Sequence, residues 1–389
     1  TGDFNVALGY FALAAATTAD KNTAVGTGAG QSITTGTGNV AVGADALDAN
    51  TTGDYTVAVG RNALTAQTTG GNNTAVGDSA LAANTTASDN TAVGYGSLIA
   101  NTTGASNVAV GKDALDTNTT GAFNVALGKE SVHTNTTGDN NTGLGTFALA
   151  VSTTADDNTG VGYGALIANT TGYGNTALGL RAGETATTGA GNTFIGNNSG
   201  AGSNGTTTGI GNTFVGYQCE SAGANGNYQI VLGFDTLSVS EATTFTFGRG
   251  TGNNRVSNNF DSNASFARVS DRRYKDEIQD NTDCGLDFIN ALRPITYKWR
   301  AKSNIDSSLP DYDANATERQ HDTKLYGLIA QEVKEALDDK NITDFGGWYE
   351  EEASGIQGIS QEMFVHPLIK AVQELSAKVE ELESKLNGE

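Results

Sequence analysis

The sequence predicts a mainly β protein, in which a parallel β-solenoid of 17-residue repeats precedes a small α/β domain that ends in a coiled-coil helix. Three observations lead to this prediction. A glycine recurs every 17 residues through roughly the first 235 positions, which indicates a stacked repeat protein. Beyond about residue 270 charged residues become dense, and all 3 prolines of the chain lie there. Near the C-terminus, apolar residues alternate in steps of three and four, the spacing of a coiled-coil helix.

The repeat keeps its phase from Gly9 to Gly196 and resumes, after a three-residue insertion, at Gly216 and Gly233. Its fourteen units follow the approximate pattern N-[TV]-A-[VL]-G-x-x-A-L-x-x-N-T-T-G-x-x. A fixed period without helical hydrophobic spacing indicates a solenoid with one or two short strands per coil. At about 4.8 Å per stacked strand, fourteen coils form a rod on the order of 65 Å long.

The strand of each unit is apolar on both faces. In NTAVG the residue before glycine is Val, Leu or Ile, and the residue before that is nearly always Ala. Neighbouring strand residues point to opposite faces, so one face has branched side chains and the other has methyl groups. Such a strand needs one partner inside its own coil and another outside it. The small alanine suggests that backbones approach closely on its face, as they do near a symmetry axis.

The NTTG stretch supplies turn residues and a ladder of Asn and Thr between coils. Six of these stretches also match the acceptor sequence for N-glycosylation, at Asn50, Asn84, Asn101, Asn118, Asn135 and Asn169. We favour the turn and ladder, because the match recurs with the solenoid period. The regular threonines raise ice binding as a further hypothesis, which their turn-like context disfavours.

The pattern NTAVGxxAL resembles the head repeats of trimeric autotransporter adhesins, over residues 1 to about 235. In those heads, left-handed parallel β-rolls from three chains pack around one axis. The resemblance therefore implies a trimeric β-roll, with a unit of 17 residues that is longer than the one typical of those heads.

The repeat gives way to a different kind of sequence. Residues 238–269 form a β-like tail in which the glycine phase is lost. Downstream, CGLDFINALRPITYKW indicates helix, turn and strand, and YGLIAQEVKEAL indicates a strand that leads into a helix. A helix from about residue 363 to 387 has an apolar seam at Val365, Leu368, Val372, Leu375, Val379, Leu382 and Leu386. The seam favours self-association of this helix over a lone amphipathic helix. In isolated coiled coils, Val at the a positions with Leu at the d positions favours two helices, whereas the β-roll favours an assembly of three chains.

Taken together, SDRRYK, LDFINALRPITYKW, YGLIAQEV and the heptad helix resemble the intramolecular chaperone auto-processing domain at the C-terminus of phage tail fibres, tailspikes and endosialidases. The resemblance covers residues 270–389. It implies a domain that trimerises, templates the folding of the fibre ahead of it and then cuts itself off. The expected domains are a solenoid at 1–237, a tail and linker at 238–269, and the chaperone domain at 270–389.

The resemblance also implies a cleavage site and a catalytic pair. The scissile bond is Val269–Ser270, with Ser270 as nucleophile, Lys275 as its base and Asp271 as a candidate for orienting the pair. A serine hydroxyl needs a base within hydrogen-bond reach, and the lysine must be neutral to accept the proton. Residues five apart do not share a helix face, so a turn or a neighbouring chain must close the pair. On the residues alone, Ser270 also fits a helix N-cap before DRRYKDEI.

The composition of the chain argues against several classes of function. A net charge of -21 repels DNA and anionic membranes, and no apolar run approaches the roughly 18 residues of a membrane span. We therefore expect neither a nucleic-acid partner nor membrane insertion. His133, His321 and His366 have no ligand partners nearby in sequence, so we expect no metal and no cofactor. Cys219 and Cys284 give no disulfide framework, and Cys219 fits a small buried residue.

We expect the distal part of a phage tail fibre, placed in the extracellular virion tail after assembly in the host cytoplasm, with self-cleavage as its only enzymatic step. Its expected partners are two further copies of the chain, a host surface receptor or glycan, and other tail proteins. The first residues, TGDFNVALG, begin inside a repeat, so we expect a further N-terminal region to which the other tail proteins bind. Two alternatives are a cellular surface adhesin with the same modules and a glycan-degrading tailspike. The tailspike is disfavoured because the acids of the repeats form no recurring pair apart from Asp156–Asp157.

Overall fold

The computed structural model describes residues 2–202, 207–238, 243–250, 255–259, 267–268, 276, 278–309, 312–319, 322, 324–351 and 355–388. The chain forms two compact units, Thr1–Lys275 and Asp276–Glu389. Each unit is described by itself below. The finer domain boundaries expected from the sequence stay predictions.

The first unit is a parallel β-solenoid of about fourteen turns, which confirms the predicted fold class. Each strand pairs in register with the strand 17 residues further on, as Ala75 does with Ala92. The pairing of Thr193 with Thr213 absorbs the three-residue insertion without a break in the sheet. The strands are β1 (Val6–Leu8), β2 (Thr23–Val25), β3 (Val40–Val42), β4 (Val57–Val59), β5 (Thr74–Val76), β6 (Thr91–Val93), β7 (Val108–Val110), β8 (Val125–Leu127), β9 (Thr142–Leu144), β10 (Thr159–Val161), β11 (Thr176–Leu178), β12 (Thr193–Ile195), β13 (Thr213–Tyr217) and β14 (Ile230–Phe234).

The sheet changes direction after the last regular turn. Strand β15 (Thr244–Arg249) still runs parallel to β14. Strands β16 (Arg255–Asn259) and β17 (Ala267–Arg268) then pair antiparallel, β16 with β15 and β17 with β16. The region where the glycine phase is lost therefore continues the same sheet in a hairpin-like arrangement.

From β2 to β11 the middle residue of each strand points into its own coil. It is an alanine in all but β9 and β10, and Ala75, Ala92 and the other alanines at this position are buried, whereas the branched residue before glycine is half-buried or exposed and faces outward. At Gly160, which occupies the alanine position of β10, an added Cβ would already lie 3.4 Å from Leu149 Cγ. The leucine of the Ala-Leu pair fills the narrow coil, so only a methyl group fits beside it. The expectation that alanine marks the face near a symmetry axis is therefore wrong.

Large and small residues exchange places at one point of this core. Phe194 occupies the alanine position of β12 and is fully buried against Phe214, with ring centroids 5.7 Å apart. The leucine positions on either side are glycines, Gly183 and Gly200. A Cβ added at either glycine would overlap the Phe194 ring. Volume is thus conserved within the coil although the residues differ from the repeat pattern.

Two columns of buried asparagine join successive coils. In the column before the strands, the Asn39 N–H donates to Asn22 Oδ1 at 2.8 Å, and Asn22 Nδ2 donates to the Gly36 carbonyl at 2.9 Å. In the NTT column, Asn118 Nδ2 donates to Asn101 Oδ1 at 2.9 Å. Both columns satisfy buried backbone groups at the turns, which would otherwise cost about 1–3 kcal/mol each.

The NTT threonines form a third ladder. Thr34 Oγ1 donates to the Thr51 carbonyl at 3.1 Å, and Thr51 Oγ1 donates to the Thr68 carbonyl at 3.1 Å. The six asparagines that match the glycosylation sequence are buried inside this arrangement. The predicted turn and ladder is confirmed, and the first hydroxyl of each NTT unit is used within it.

The second unit has a small side-chain core. Its elements are α1 (Leu286–Ala291), β18 (Ile295–Tyr297), a 3₁₀ turn (Lys302–Asn304), β19 (Leu325–Gly327), α2 (Ala330–Asp339), β20 (Trp348–Glu350), β21 (Gln357–Ile359), a second 3₁₀ turn (Gln361–Phe364) and α3 (Val365–Asn387). Strands β18 and β19 pair antiparallel, as do β20 and β21. The predicted helix, turn and strand and the predicted strand into helix are both confirmed.

Phe288 is the centre of that core. It is fully buried, and its ring lies 5.5 Å from that of Phe345 and 6.3 Å from that of Phe364. Val333 and Leu337 of α2 complete the cluster. The core thus joins α1, α2, the loop after α2 and the turn before α3, so these segments depend on one another.

Candidate assembly and processing site

The predicted catalytic residues lie outside the described part of the chain. This applies to the scissile bond Val269–Ser270, to Asp271 and to Lys275. Before them, β17 ends at Arg268, and after them the description resumes at Asp276. The candidate pair and cleavage site therefore stay predictions, and the described geometry concerns how the chain could assemble around them.

Helix α3 uses one face for its own unit. Pro367 and Ala371 are buried, and the Leu286 N–H at the start of α1 donates to Glu374 Oε2 at 2.8 Å. These three α3 positions lie four and three residues apart, on one side of the helix. A carboxylate at the start of α1 also complements the positive end of that helix.

The heptad seam occupies a different face of α3 and is uncovered. Every a and d residue from Val365 to Leu386 is about half exposed or more. Beyond Glu374, all residues through Gly388 are exposed, so this part of α3 packs against none of the residues that the structure describes. A helical segment of that length is marginal in water without a partner. The seam is the face that a partner helix would cover.

The solenoid has an uncovered face of its own. The first and third residues of β2–β11 point outward and are half-buried or exposed. Throughout β1–β14 these two positions hold Thr, Val, Leu or Ile and no charged residue, in a chain of net charge -21. We call this two-column surface the strand face. Depletion of charge over a continuous surface of threonine and branched apolar residues is typical of an interface.

Ion pairs tie the surface of the second unit together. Arg293 contacts Glu332 of α2 through two hydrogen bonds, one of them 3.0 Å long from Nε to Oε2. The Arg293 guanidinium holds the pKa of Glu332 below its usual range. Lys298 Nζ lies 2.6 Å from Asp322 Oδ1 and lowers the pKa of that carboxyl in the same way. These pairs are exposed, so they orient β18 and its neighbours and add little stability.

Both cysteines are buried, free thiols in the structure. Burial raises the pKa of the Cys219 thiol, and burial together with Asp283 raises that of Cys284 to about 11. Within the described ranges, no group of three or more His, Cys, Asp or Glu side chains is placed to hold a metal ion. His321 lies outside those ranges. No helix among the described residues is both long and apolar enough to cross a bilayer.

A family model now identifies the region around the predicted site. Residues 270–342 match the peptidase S74 model, chaperone of endosialidase. The match begins at Ser270, includes Lys275 and extends past α1, β18, β19 and α2. This match supports the role of an intramolecular chaperone for the C-terminal part of the chain, as the resemblance implied. No curated protein and no solved structure gives a significant match.

One set of exposed and half-buried residues was missed by reasoning from the sequence. It lies on the solenoid at the positions just after the AVG glycine and includes Tyr95, Lys112, Lys129, Phe147 and Tyr163. These residues are 16 to 18 positions apart, so they look unrelated in the sequence, yet the fold places them on successive coils. The sequence does contain a signal for this set, because large aromatic and basic residues stand out from the small, uncharged residues of the repeat pattern.

Proposed function

We propose that this chain is the distal part of a phage tail fibre, in which the chaperone of endosialidase domain assembles three copies of the solenoid and then releases itself. The cut falls between Val269 and Ser270, with Ser270 as nucleophile and Lys275 as base. The trimeric solenoid stays in the virion tail and attaches the particle to the host surface. Assembly takes place in the host cytoplasm, with other tail proteins joined to the fibre.

The family match over residues 270–342 carries this proposal, because it begins at the predicted nucleophile and includes the predicted base. The uncovered heptad seam of α3 also supports it, since part of that helix is exposed among the described residues and would be stabilised by a partner helix. The strand face offers a second charge-free surface to be covered on assembly. Both surfaces are explained at once if the occupant is another copy of the chain.

The proposed cleavage proceeds through an ester. Ser270 Oγ attacks the carbonyl carbon of Val269 while neutral Lys275 takes the hydroxyl proton. The carbon–nitrogen bond breaks, and the amide nitrogen of Ser270 receives that proton and becomes a free amine. Water then hydrolyses the Val269–Ser270 ester, which frees the carboxyl group of Val269 and restores the hydroxyl.

Assembly controls this reaction in our proposal. Five residues separate Ser270 from Lys275, so the pair does not close on a helix face. The lysine must be neutral to act as the base, and burial next to the basic Arg272 and Arg273 would disfavour its charged form. Both closure and burial follow if the neighbouring copy covers the pair. Cleavage before assembly is then prevented, and the template is lost only after use.

Mass spectrometry of the expressed full chain tests the cleavage. The wild type is expected to yield two products, residues 1–269 and 270–389. Ser270→Ala and Lys275→Met are expected to stay intact, because one lacks the nucleophile and the other lacks the base. The matched control is Ser303→Ala, which removes another serine hydroxyl of the same domain and should be cut like the wild type.

Light scattering on the same samples separates assembly from cleavage. Intact Ser270→Ala should have the mass of three full chains, because the variant blocks only the chemistry. An assembled wild-type sample that remains uncut would contradict the proposed cleavage site. A monomeric Ser270→Ala chain would contradict assembly by this domain.

A further inference from the structure

A row of aromatic and basic side chains runs along one edge of the solenoid. It consists of Tyr95, Lys112, Lys129, Phe147 and Tyr163, and we call it the aromatic–lysine row. Lys112 Nζ lies 5.8 Å from the centre of the Tyr95 ring, and Lys129 Nζ lies 5.6 Å from that of Phe147. The Phe147 and Tyr163 rings meet edge to face at 5.8 Å. Tyr95 therefore contacts Lys112 on the next coil, and Lys129, Phe147 and Tyr163 form a second run of contacts on the coils that follow.

Hydrogen-bonding groups of both signs flank the row. Lys112 Nζ is 3.2 Å from Asp113 Oδ2, and Lys129 Nζ is 3.0 Å from Glu130 Oε1. On the same two coils, His133 Nδ1 lies 2.9 Å from Asp116 Oδ1. Donors and acceptors thus alternate along the surface, and each lysine charge is balanced by the acid next to it.

The fold does not need these side chains. Coils without them, such as the one with Thr27 and Gly28 at the same two positions, stack with the same backbone bonds. The ladders of Asn and Thr run through other positions of the repeat. Tyr95 and Tyr163 keep 58% and 46% of their surface exposed. Large aromatic residues held in the open, without a packing role, are typical of a binding surface.

We propose that the aromatic–lysine row binds a neutral glycan chain. Aromatic faces stack on the C–H faces of sugar rings, and alternating lysine ammonium and carboxylate groups exchange hydrogen bonds with sugar hydroxyls. Four coil steps separate Tyr95 from Tyr163, about 19 Å at the spacing of stacked strands, which suits an extended oligosaccharide. This assignment rests on the proposed attachment role and names the surface and the ligand class for it.

The charges of the row argue against an anionic ligand. Each lysine already faces an acid, and the chain as a whole has a net charge of -21. A polyanion would meet repulsion from Asp113, Asp116 and Glu130 and from the remaining surface. A neutral, hydroxyl-rich chain meets no such field and can use donors and acceptors equally.

Binding of the assembled full chain to an array of immobilised neutral and acidic oligosaccharides tests the proposal. We expect the wild type to bind neutral oligosaccharides, and we expect calorimetric titration with the best of them to saturate. Tyr95→Ala and Tyr163→Ala should each weaken that affinity on the order of tenfold, because each removes one stacking face. Lys112→Ala should weaken it less, since it removes hydrogen bonds to hydroxyls only.

The matched control is Tyr173→Ala. Tyr173 is 64% exposed on the same solenoid but lies outside the row, so its removal should leave the affinity unchanged. Equal losses in all three tyrosine variants, no loss in any of them, or binding to acidic oligosaccharides alone would overturn the proposal. If neutral glycans bind and the row variants bind equally well, attachment through glycans stands and this surface is wrong. If the wild type assembles and is cut but binds no oligosaccharide, the row fails while the assembly role stands.

Discussion

The two units of this chain are stabilised in different ways. Among the described residues of the solenoid, the hydrogen bonds between coils join neighbouring coils, through strand pairing and through columns of Asn and Thr that repeat with the period. In the C-terminal unit, by contrast, contacts join residues far apart in sequence, such as Leu286 with Glu374. The solenoid is therefore a one-dimensional stack, whereas the C-terminal unit has one specific core.

This difference explains why one chain contains both. Nearly identical coils can pair in many phases, so the repeat alone does not determine which coil of one chain lies beside which coil of another. In the function proposed above, the C-terminal unit determines the phase, because a unique core with an uncovered helical seam would join other copies in one arrangement only. A domain with that role is needed only until the stack is complete, which agrees with the proposed self-cleavage.

The largest effect should come from breaking the period of the solenoid. Deletion of residues 95–111 removes one full coil and rejoins Gly94 to Lys112 in phase, so melting by circular dichroism should change by only a few degrees. Deletion of residues 95–103 removes half a coil and misaligns every ladder at the junction. We expect this half-coil deletion to lower the free energy of unfolding by on the order of 5 kcal/mol or more. Equal melting curves for the two deletions would contradict the nearest-neighbour account.

The exchange of large and small residues around Phe194 should be reversible. Phe194→Ala should cost about 3–5 kcal/mol, because it leaves a cavity in the coil. Adding Gly200→Leu restores the pattern of the other coils, in which leucine adopts the same left-handed conformation, as at Leu98. The double variant should regain about half of the loss, measured by urea unfolding.

Phe288→Ala supplies the comparison with the C-terminal unit. It should cost about 3–5 kcal/mol as well, with loss of the chaperone function, since the whole core surrounds that ring. At none of the described glycines would an added Cβ meet the Phe288 ring, so no glycine substitution is expected to fill the cavity left by Phe288→Ala. If the double variant Phe194→Ala with Gly200→Leu is no more stable than Phe194→Ala alone, the exchange of volume between these positions is the wrong explanation.

An intermediate effect should come from the asparagine columns. Asn118 accepts from Asn135 Nδ2 at 2.8 Å and donates to Asn101 Oδ1 and to the Gly121 carbonyl, both at 2.9 Å. Asn118→Ala should cost about 1–3 kcal/mol, because these buried groups lose their partner. Thr120→Ala changes an exposed residue of the same turn and should cost about 0.5 kcal/mol or less. Chemical denaturation measures both, and equal costs would contradict the ladder.

The smallest effect concerns alkaline pH in the C-terminal unit. Burial raises the pKa of Cys284 from 9.0 to about 11, so the folded state keeps the thiol proton that the unfolded state loses. Stability is therefore lost as pH rises through this window, where the folded state binds more protons. The free energy of unfolding, measured with urea between pH 9 and pH 11, should decline less steeply with pH for Cys284→Ala than for the wild type. Parallel declines would show that the thiol contributes nothing.

Local patterns account for what the sequence predicted well. The 17-residue period located every strand from β1 to β14, and local motifs located α1, β18, β19, α2 and α3. The direction of the alanines was mistaken, because a strand that is apolar on both faces does not reveal which face is inside. The leucine that fills the coil decides it, through a contact between turns. Contacts along the stack also assembled the aromatic–lysine row, which no short motif contains.

The cleavage residues rest on resemblance and on the family match. The residues alone favoured a helix N-cap at Ser270, because a pair five residues apart needs a turn or a neighbouring chain to close it. Local sequence reasoning cannot decide between these two ways of closing the pair.

The most direct measurement compares one solenoid chain made in two ways. Residues 1–269 are produced once by cleavage of the full chain and once by expression without the C-terminal unit, and the mass of each is measured by light scattering. The account predicts a trimer from the full chain and monomers or aggregates from the solenoid expressed alone, although the covalent chains are identical. Identical trimers from both routes would contradict the claim that the C-terminal unit templates the assembly.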